Sequence, residues 1–212
     1  MSTEISNLIN GYKTFYKKYF QDQSQLFNEF LIHGQQPKIL FIACCDSRVD
    51  PAIVTNSKPG EIFVVRNIAN LVPPYQEDGG YHGISAALEF AVQVLSVHHI
   101  VIFGHSQCGG IASLFNDQNN IEQKKSFINT WMEIALPAYK KIGKEYSHVS
   151  SQEKITLCEQ ESLCNSLKNL ETFPWISEKI KNNTLTTHAW YFDLENGIIK
   201  SFNKEKKNFE KL

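Results

Sequence analysis

Two short, uninterrupted apolar runs constrain the fold of this 212-residue chain more than any other feature. Ile39-Leu40-Phe41-Ile42-Ala43 empties into Cys44-Cys45-Asp46-Ser47-Arg48, and Val101-Ile102-Phe103-Gly104 empties into His105-Ser106-Gln107-Cys108-Gly109-Gly110. A strand with one wet face alternates apolar and polar residues. These runs do not alternate, so both of their faces need cover, as in a parallel sheet flanked by helices. Both break off at groups that carry chemistry, which therefore collects at strand ends.

The stretches around these strands have helical spacing. Ile5, Leu8, Ile9, Tyr12, Phe15, Tyr16, Phe20, Leu26, Phe27, Phe30 and Leu31 recur at threes and fours, predicting amphipathic helices that pack on their own domain or on a neighbouring subunit. After strand 38–43, Pro51 starts a short helix, and Lys58-Pro59-Gly60 turns into strand 62–65, which ends at Arg66-Asn67. Residues 71–81, with Pro73-Pro74 and Gly79-Gly80, read as a loop. Ile84, Ala87, Leu88, Ala91 and Leu95 predict a helix to about Val97, ahead of strand 100–103. His98 and His99 point to opposite faces there and take surface roles.

Gly109-Gly110-Ile111 opens a helix that the polar stretch from Asn116 to Asn120 closes. Trp131, Ile134, Ala135, Ala138 and Ile142 predict another, kinked or broken at Pro137. Ser150 with Glu153 makes a capping box for a helix to about Leu170, which Phe173-Pro174-Trp175 ends. Residues 187–192, Asn196-Gly197 and 198–202 read as a hairpin, and the Lys-rich tail beyond as an exposed end. The expected class is α/β: a central, mostly parallel sheet of four parallel strands plus an edge hairpin, flanked by helices. It forms a single domain over 1–212, with a helical arm at 1–33 and an α/β core at 34–212.

Charge narrows the partners. With 21 basic against 22 acidic side chains, no net field draws nucleic acid or an anionic membrane. Met1-Ser2-Thr3-Glu4-Ile5 lacks a secretory pattern, and no apolar run nears the ~18 residues of a membrane span, so a cytoplasmic protein is expected. In that compartment the 5 cysteines are free thiols or metal ligands. Cys158 and Cys164 read as small buried residues of a helix.

Cys44, His105 and Cys108 would give zinc two thiolates and an imidazole, leaving one tetrahedral position free. Cys45 faces the other way on an extended backbone. With water in the fourth position, the metal would lower its pKa to about 7 and make zinc-bound hydroxide near neutral pH. With Asp46 there, the zinc would be structural or switched off. Arg48 can hold Asp46 off the metal by a bidentate contact, freeing it to orient the water. From these residues alone, catalytic zinc, structural zinc and plain thiols all stay open. Gly104-His105-Ser106-Gln107-Cys108 nearly matches a hydrolase nucleophile elbow, but Cys108 stands where that turn needs glycine. The glycine-rich end also lacks the Lys-Ser/Thr of a phosphate loop.

At these positions the chain resembles the β-carbonic anhydrases. Their Cys-x-Asp-Ser-Arg is similar to Cys44–Arg48, their His-x-x-Cys-Gly-Gly to His105–Gly110, and their core signature to Val64-Val65-Arg66-Asn67-Ile68-Ala69-Asn70. The likeness runs from about Gly34 to Leu114 and, more weakly, through Phe173-Pro174-Trp175 and His188-Ala189-Trp190. It implies an enzyme holding one Zn2+ per subunit on Cys44, His105 and Cys108, with Asp46 and Arg48 as an orienting dyad. The implied reaction is reversible hydration of carbon dioxide to bicarbonate and a proton. The alternatives are hydrolysis of carbonyl sulfide or carbon disulfide on the same site, or a non-catalytic structural zinc. Family members build their sites at an interface between subunits, so a dimer or tetramer is expected, with the N-terminal helices packed on the partner. The plant-like branch lines its pocket with Gln, Phe and Tyr. Gln35 and Phe63 match the first two, Phe90 stands at the third, and Gly109 is expected to join them. A second branch uses a Trp, Arg and Tyr triad for a regulatory bicarbonate. Here Phe41 and Phe192 replace the Trp and Tyr and only Arg66 remains, which implies an open, ungated site.

Overall fold

The computed structural model of the protein describes residues 2–22, 24–78, 80–116 and 126–212. They form two compact units, one ending at Gln36 and one running from Pro37 to Leu212. Gly79 of the predicted loop, and Asp117–Asn120 of the polar stretch expected to close the helix after Gly109, lie outside the described residues.

The first unit is helical. α1 (Thr3–Tyr16) passes through a π-helical stretch, Lys17–Asp22, before α2 (Ser24–His33). Its contacts are aromatic: the Phe27 ring meets those of Phe20, Phe30 and Phe15 at 4.6, 5.5 and 5.8 Å between centroids. Ile5, Leu8, Tyr12, Leu31 and Ile32 stay exposed, and α1 buries no residue.

The second unit is α/β. Its elements are β1 (Ile39–Cys44), α3 (Pro51–Val54), β2 (Ile62–Asn67), α4 (Gly83–Glu89) continued by a π-helical turn at Phe90–Val94, and β3 (His99–His105). Then come α5 (Gly109–Ser113), α6 (Phe127–Met132), α7 (Leu136–Glu145), α8 (Ser151–Leu170), α9 (Pro174–Lys181), β4 (Thr186–Asp193), β5 (Ile198–Asn203) and β6 (Asn208–Lys211). The sheet runs β2-β1-β3-β4-β5-β6, its first four strands parallel and the last two antiparallel. The chain leaves β1 to one side for β2 and comes back on the other side as β3. Strand order therefore reverses between β1 and β3, and the crevice at their carboxyl ends is where such sheets hold ligands.

Both faces of the central strands are covered. Leu40, Ile42, Ile100 and Ile102 are fully buried in one cluster with Leu88, Leu163 and Leu167, while Phe41, Ala43, Val101 and Phe103 pack on the other face with Trp190. Each fully buried Leu or Ile stabilises the fold by roughly 1.5–3 kcal/mol. The 20-residue α8 starts at the expected Ser150–Glu153 capping box. It approaches β3 so closely that a Cβ on Gly104 would lie 3.1 Å from the Leu163 side chain, which is why glycine stands there.

Two readings need correction. Phe173-Pro174-Trp175 does follow the end of α8, but it also opens α9: Pro174 sits in the first helical turn, where its missing N–H leaves nothing unsatisfied. The tail is not a free end. Asn208–Lys211 pairs with β5, and Phe209 packs on Phe202 at 5.2 Å between ring centroids. Of the two cysteines read as buried in α8, Cys158 is fully buried but Cys164 is only partly covered; His98 and His99 are exposed, and a 3-10 turn at Glu133–Ala135 breaks the helix just before Pro137.

Candidate metal centre

The loop after β1 is shaped by carboxylates. The Arg48 N–H donates to Asp46 Oδ1 at 2.9 Å, closing a tight turn, and Asp50 caps α3 by accepting from the Ala52 and Ile53 amides. Arg66, at the end of β2, clamps this loop. Its Nε donates to the Cys44 carbonyl at 2.8 Å, its Nη2 to the Asp46 carbonyl at 2.7 Å, and its Nη1 to Asp50 Oδ2 at 2.9 Å. Cys44 is thereby buried while Cys45 is exposed, as the alternation of an extended backbone requires.

The turn after β3 is held just as firmly. The Ser106 N–H donates to the Phe192 carbonyl, and Ser106 Oγ accepts from the Leu194 amide, both at 2.9 Å. Gln107 takes a left-handed φ of 58°, and its carbonyl accepts from Arg48 Nη2 at 3.1 Å. Cys108 then leads into α5 with its N–H on Glu159 Oε1 at 2.8 Å.

Three potential ligand atoms, the sulfurs of Cys44 and Cys108 and a ring nitrogen of His105, lie within 4.8 Å of one another. Zn–S bonds of about 2.3 Å and a Zn–N bond of about 2.0–2.1 Å place tetrahedral ligands roughly 3.5–3.8 Å apart, so the trio has the right span. His105 Nδ1 lies 2.8 Å from the Ser106 carbonyl, which can only accept. Nδ1 therefore carries the proton and Nε2 presents a lone pair. That Nε2 is buried and has no hydrogen-bond partner among the described residues, a costly state that a metal ion would relieve. The closeness of the two thiols holds Cys44 below its usual range and pushes Cys108 above it, so the pair shares a proton that a bound cation would displace. The residues fit zinc.

Asp46 stands beside the trio without joining it. Its Oδ2 is 3.8 Å from His105 Nε2, too far for a hydrogen bond. Arg48 holds it from the other side, Nε on Oδ1 at 2.9 Å and Nη2 on Oδ2 at 2.7 Å. These contacts keep the Asp46 carboxyl well below the usual carboxylate range.

The remaining expected residues fall in different places. Gly109 follows Cys108 directly, with open space where a Cβ would stand. Phe63 and Phe90 meet at 6.0 Å between ring centroids. Phe63 lies four residues along β2 from Asn67, which pairs with Cys44, a distance of about 13 Å at ~3.3 Å per residue. Gln35 is exposed and belongs to the first unit. Phe41 is 2% exposed and packs edge-on against Phe103 and Trp190. Sequence reasoning missed Glu159, which is buried and takes the Tyr191 hydroxyl on its second oxygen at 2.7 Å. The signal was present: Glu159 precedes Leu163 by four residues and Leu167 by eight, which puts a carboxylate on the apolar stripe of a helix.

A family model described as Carbonic anhydrase matches residues 39–199. A carbonic anhydrase of Synechocystis is 35% identical over 198 residues, covering 93% of this chain and 71% of that one. Beta carbonic anhydrase 3 of Arabidopsis thaliana is 36% identical, over 92% of this chain and 75% of its own length. The structure of the β-carbonic anhydrase CcaA superposes with a TM-score of 0.91 at 32% identity, over 99% of this chain and 100% of that one. One of two tetrameric β-carbonic anhydrases from Sordaria macrospora gives 0.80 at 30%, over 94% and 98%.

Proposed function

This chain belongs to the carbonic anhydrase family, in its β class, and we propose that it hydrates carbon dioxide reversibly to bicarbonate and a proton at Cys44, His105 and Cys108. The observation that carries this is the buried, unpartnered Nε2 of His105 facing two buried thiols, with an ionised carboxylate held alongside but off the trio. Bound there, zinc supplies the Lewis acidity that brings the pKa of a water to about 7.

The chain's own groups supply orientation. Arg48 keeps Asp46 ionised, so Asp46 can only accept; a water beside the trio donates to it, and its lone pair is aimed at the carbon of the substrate. Arg66 keeps the Asp46 backbone in place and spends all three of its nitrogens on the loop. With Phe41 sealed among aromatic rings, no group of a regulatory triad is free to draw Asp46 onto the metal, which supports an open, ungated site. Phe63, Phe90 and Gly109 line the substrate pocket in this reading, and Gln35 is a candidate for it by sequence likeness alone.

Self-association as a dimer or tetramer completes it. Val64, Ile68, Phe90 and Val94 are exposed, as is the apolar stripe of the N-terminal helices. The distance of Phe63 and Phe90 from the ligands of their own chain suits residues that serve a site across an interface. Residues 1–33 and 34–212 would then work as one domain whose arm packs on the partner. Five free cysteines suit a reducing, cytoplasmic setting. Loading the protein with zinc and following carbon dioxide hydration at about pH 8 tests the proposal; zinc-replete protein that leaves the uncatalysed rate unchanged refutes it.

A further inference from the structure

Glu159 is a charged residue on the buried face of a helix, and the fold gives no packing reason for it. It is 4% exposed, and the same face of α8 carries Leu163, Leu167 and Leu170. A carboxylate buried this deeply is costly unless its oxygens are satisfied, whereas an aliphatic side chain there would stabilise. Both oxygens are satisfied, and the partners are informative: Oε1 accepts the Cys108 N–H at 2.8 Å and Oε2 accepts the Tyr191 hydroxyl at 2.7 Å. Tyr191 is 2% exposed on β4, next to Phe192, whose carbonyl holds the Ser106 amide.

The turn from His105 to Cys108 thus has an anchor at each step after the histidine: Ser106 to β4, Gln107 to Arg48, Cys108 to Glu159. The last is the anchor nearest a ligand sulfur. α5 begins there and is only five residues long, so it offers little stiffness of its own. The left-handed Gln107 adds strain that something must hold. We infer that Glu159 and Tyr191 form a positioning pair that fixes the Cys108 backbone, and with it the direction of the Cys108 sulfur, for metal binding. The inference rests on the metal-centre reading and extends it to two residues in α8 and β4.

Zinc affinity of the full-length protein, measured by competition with a chromophoric chelator, and the thiolate-to-metal absorption of the cobalt-substituted protein test it without reference to activity. Outer-shell partners of ligands change metal affinity by about 10- to 100-fold, so Glu159→Leu should lose zinc affinity in that range and shift the cobalt bands. Tyr191→Phe, which keeps the ring and removes the donor, should lose less, about 3- to 10-fold. Glu159→Gln keeps an acceptor for the Cys108 amide and should return to within about 3-fold of the native protein. Leu170→Ala, a fully buried position of the same helix, is the control: it should lower Tm and leave zinc affinity alone. Glu159→Leu that keeps the native zinc affinity and cobalt spectrum, whatever its Tm, overturns the inference. Should Glu159→Leu not fold, native affinity in Tyr191→Phe overturns it instead. Failure of carbon dioxide hydration alone would count against the proposed function and leave this inference standing.

Discussion

Arg48 donates to both oxygens of Asp46, and that pairing sets what the residue can do. An Asp whose folded pKa is depressed stabilises the protein above its unfolded pKa, near 3.9, and gives up that stability as pH falls through the folded value. In Arg48→Ala the Asp46 pKa rises back toward its unfolded value, so acid unfolding followed by circular dichroism should begin at a higher pH; coincident acid limbs would contradict the pairing. Asp46→Ala should lose at least about 10²-fold in carbon dioxide hydration while metal analysis still finds one zinc per chain, because Asp46 orients and does not ligate. Weakened zinc binding in that variant would instead place Asp46 on the metal. Cys44, Asp46, Arg48, His105 and Cys108 were legible in the sequence because each sits at the end of an apolar strand, where chemistry collects. For Glu159 the spacing shows a carboxylate on an apolar stripe but not its partner, since Cys108 is distant in the chain and only the packing of α8 brings the two together.

At the scale of elements, the central strands could be read because they are continuous and apolar, whereas the edges could not. β6 is short and edged by Asn208 and Lys211, and its only apolar residue, Phe209, gains meaning from Phe202 across the ladder. α9 is hidden in the sequence because Pro174 reads as a stop when it is also a permitted start. The half-buried Phe209 makes a test of this edge: Phe209→Ala should cost about 2 kcal/mol, below the range for fully buried Phe, in urea denaturation. A cost near zero would mean that the tail adds nothing to the sheet. The cap of α8 belongs to the same scale. Ser150 accepts from the Glu153 amide while the Glu153 carboxylate returns to Ser150, so Ser150→Ala should cost about 1 kcal/mol.

For the whole molecule, strand order and apolar surface point the same way. The sheet is buried on both faces at its centre, but β2 lies at one edge with Val64 exposed, and Ile68 and Phe90 add further uncovered apolar area. Sedimentation should therefore find a dimer or tetramer, and Phe90→Asp should shift it toward smaller species and lower activity together; a fully active monomer would contradict a shared site. The most direct test of the account is stopped-flow hydration of carbon dioxide at about pH 8, before and after the zinc is removed by a chelator and then restored. The expected result is rapid hydration that scales with zinc up to one ion per chain, disappears on removal and returns on restoration. Protein with a full complement of zinc that hydrates carbon dioxide no faster than buffer would contradict it.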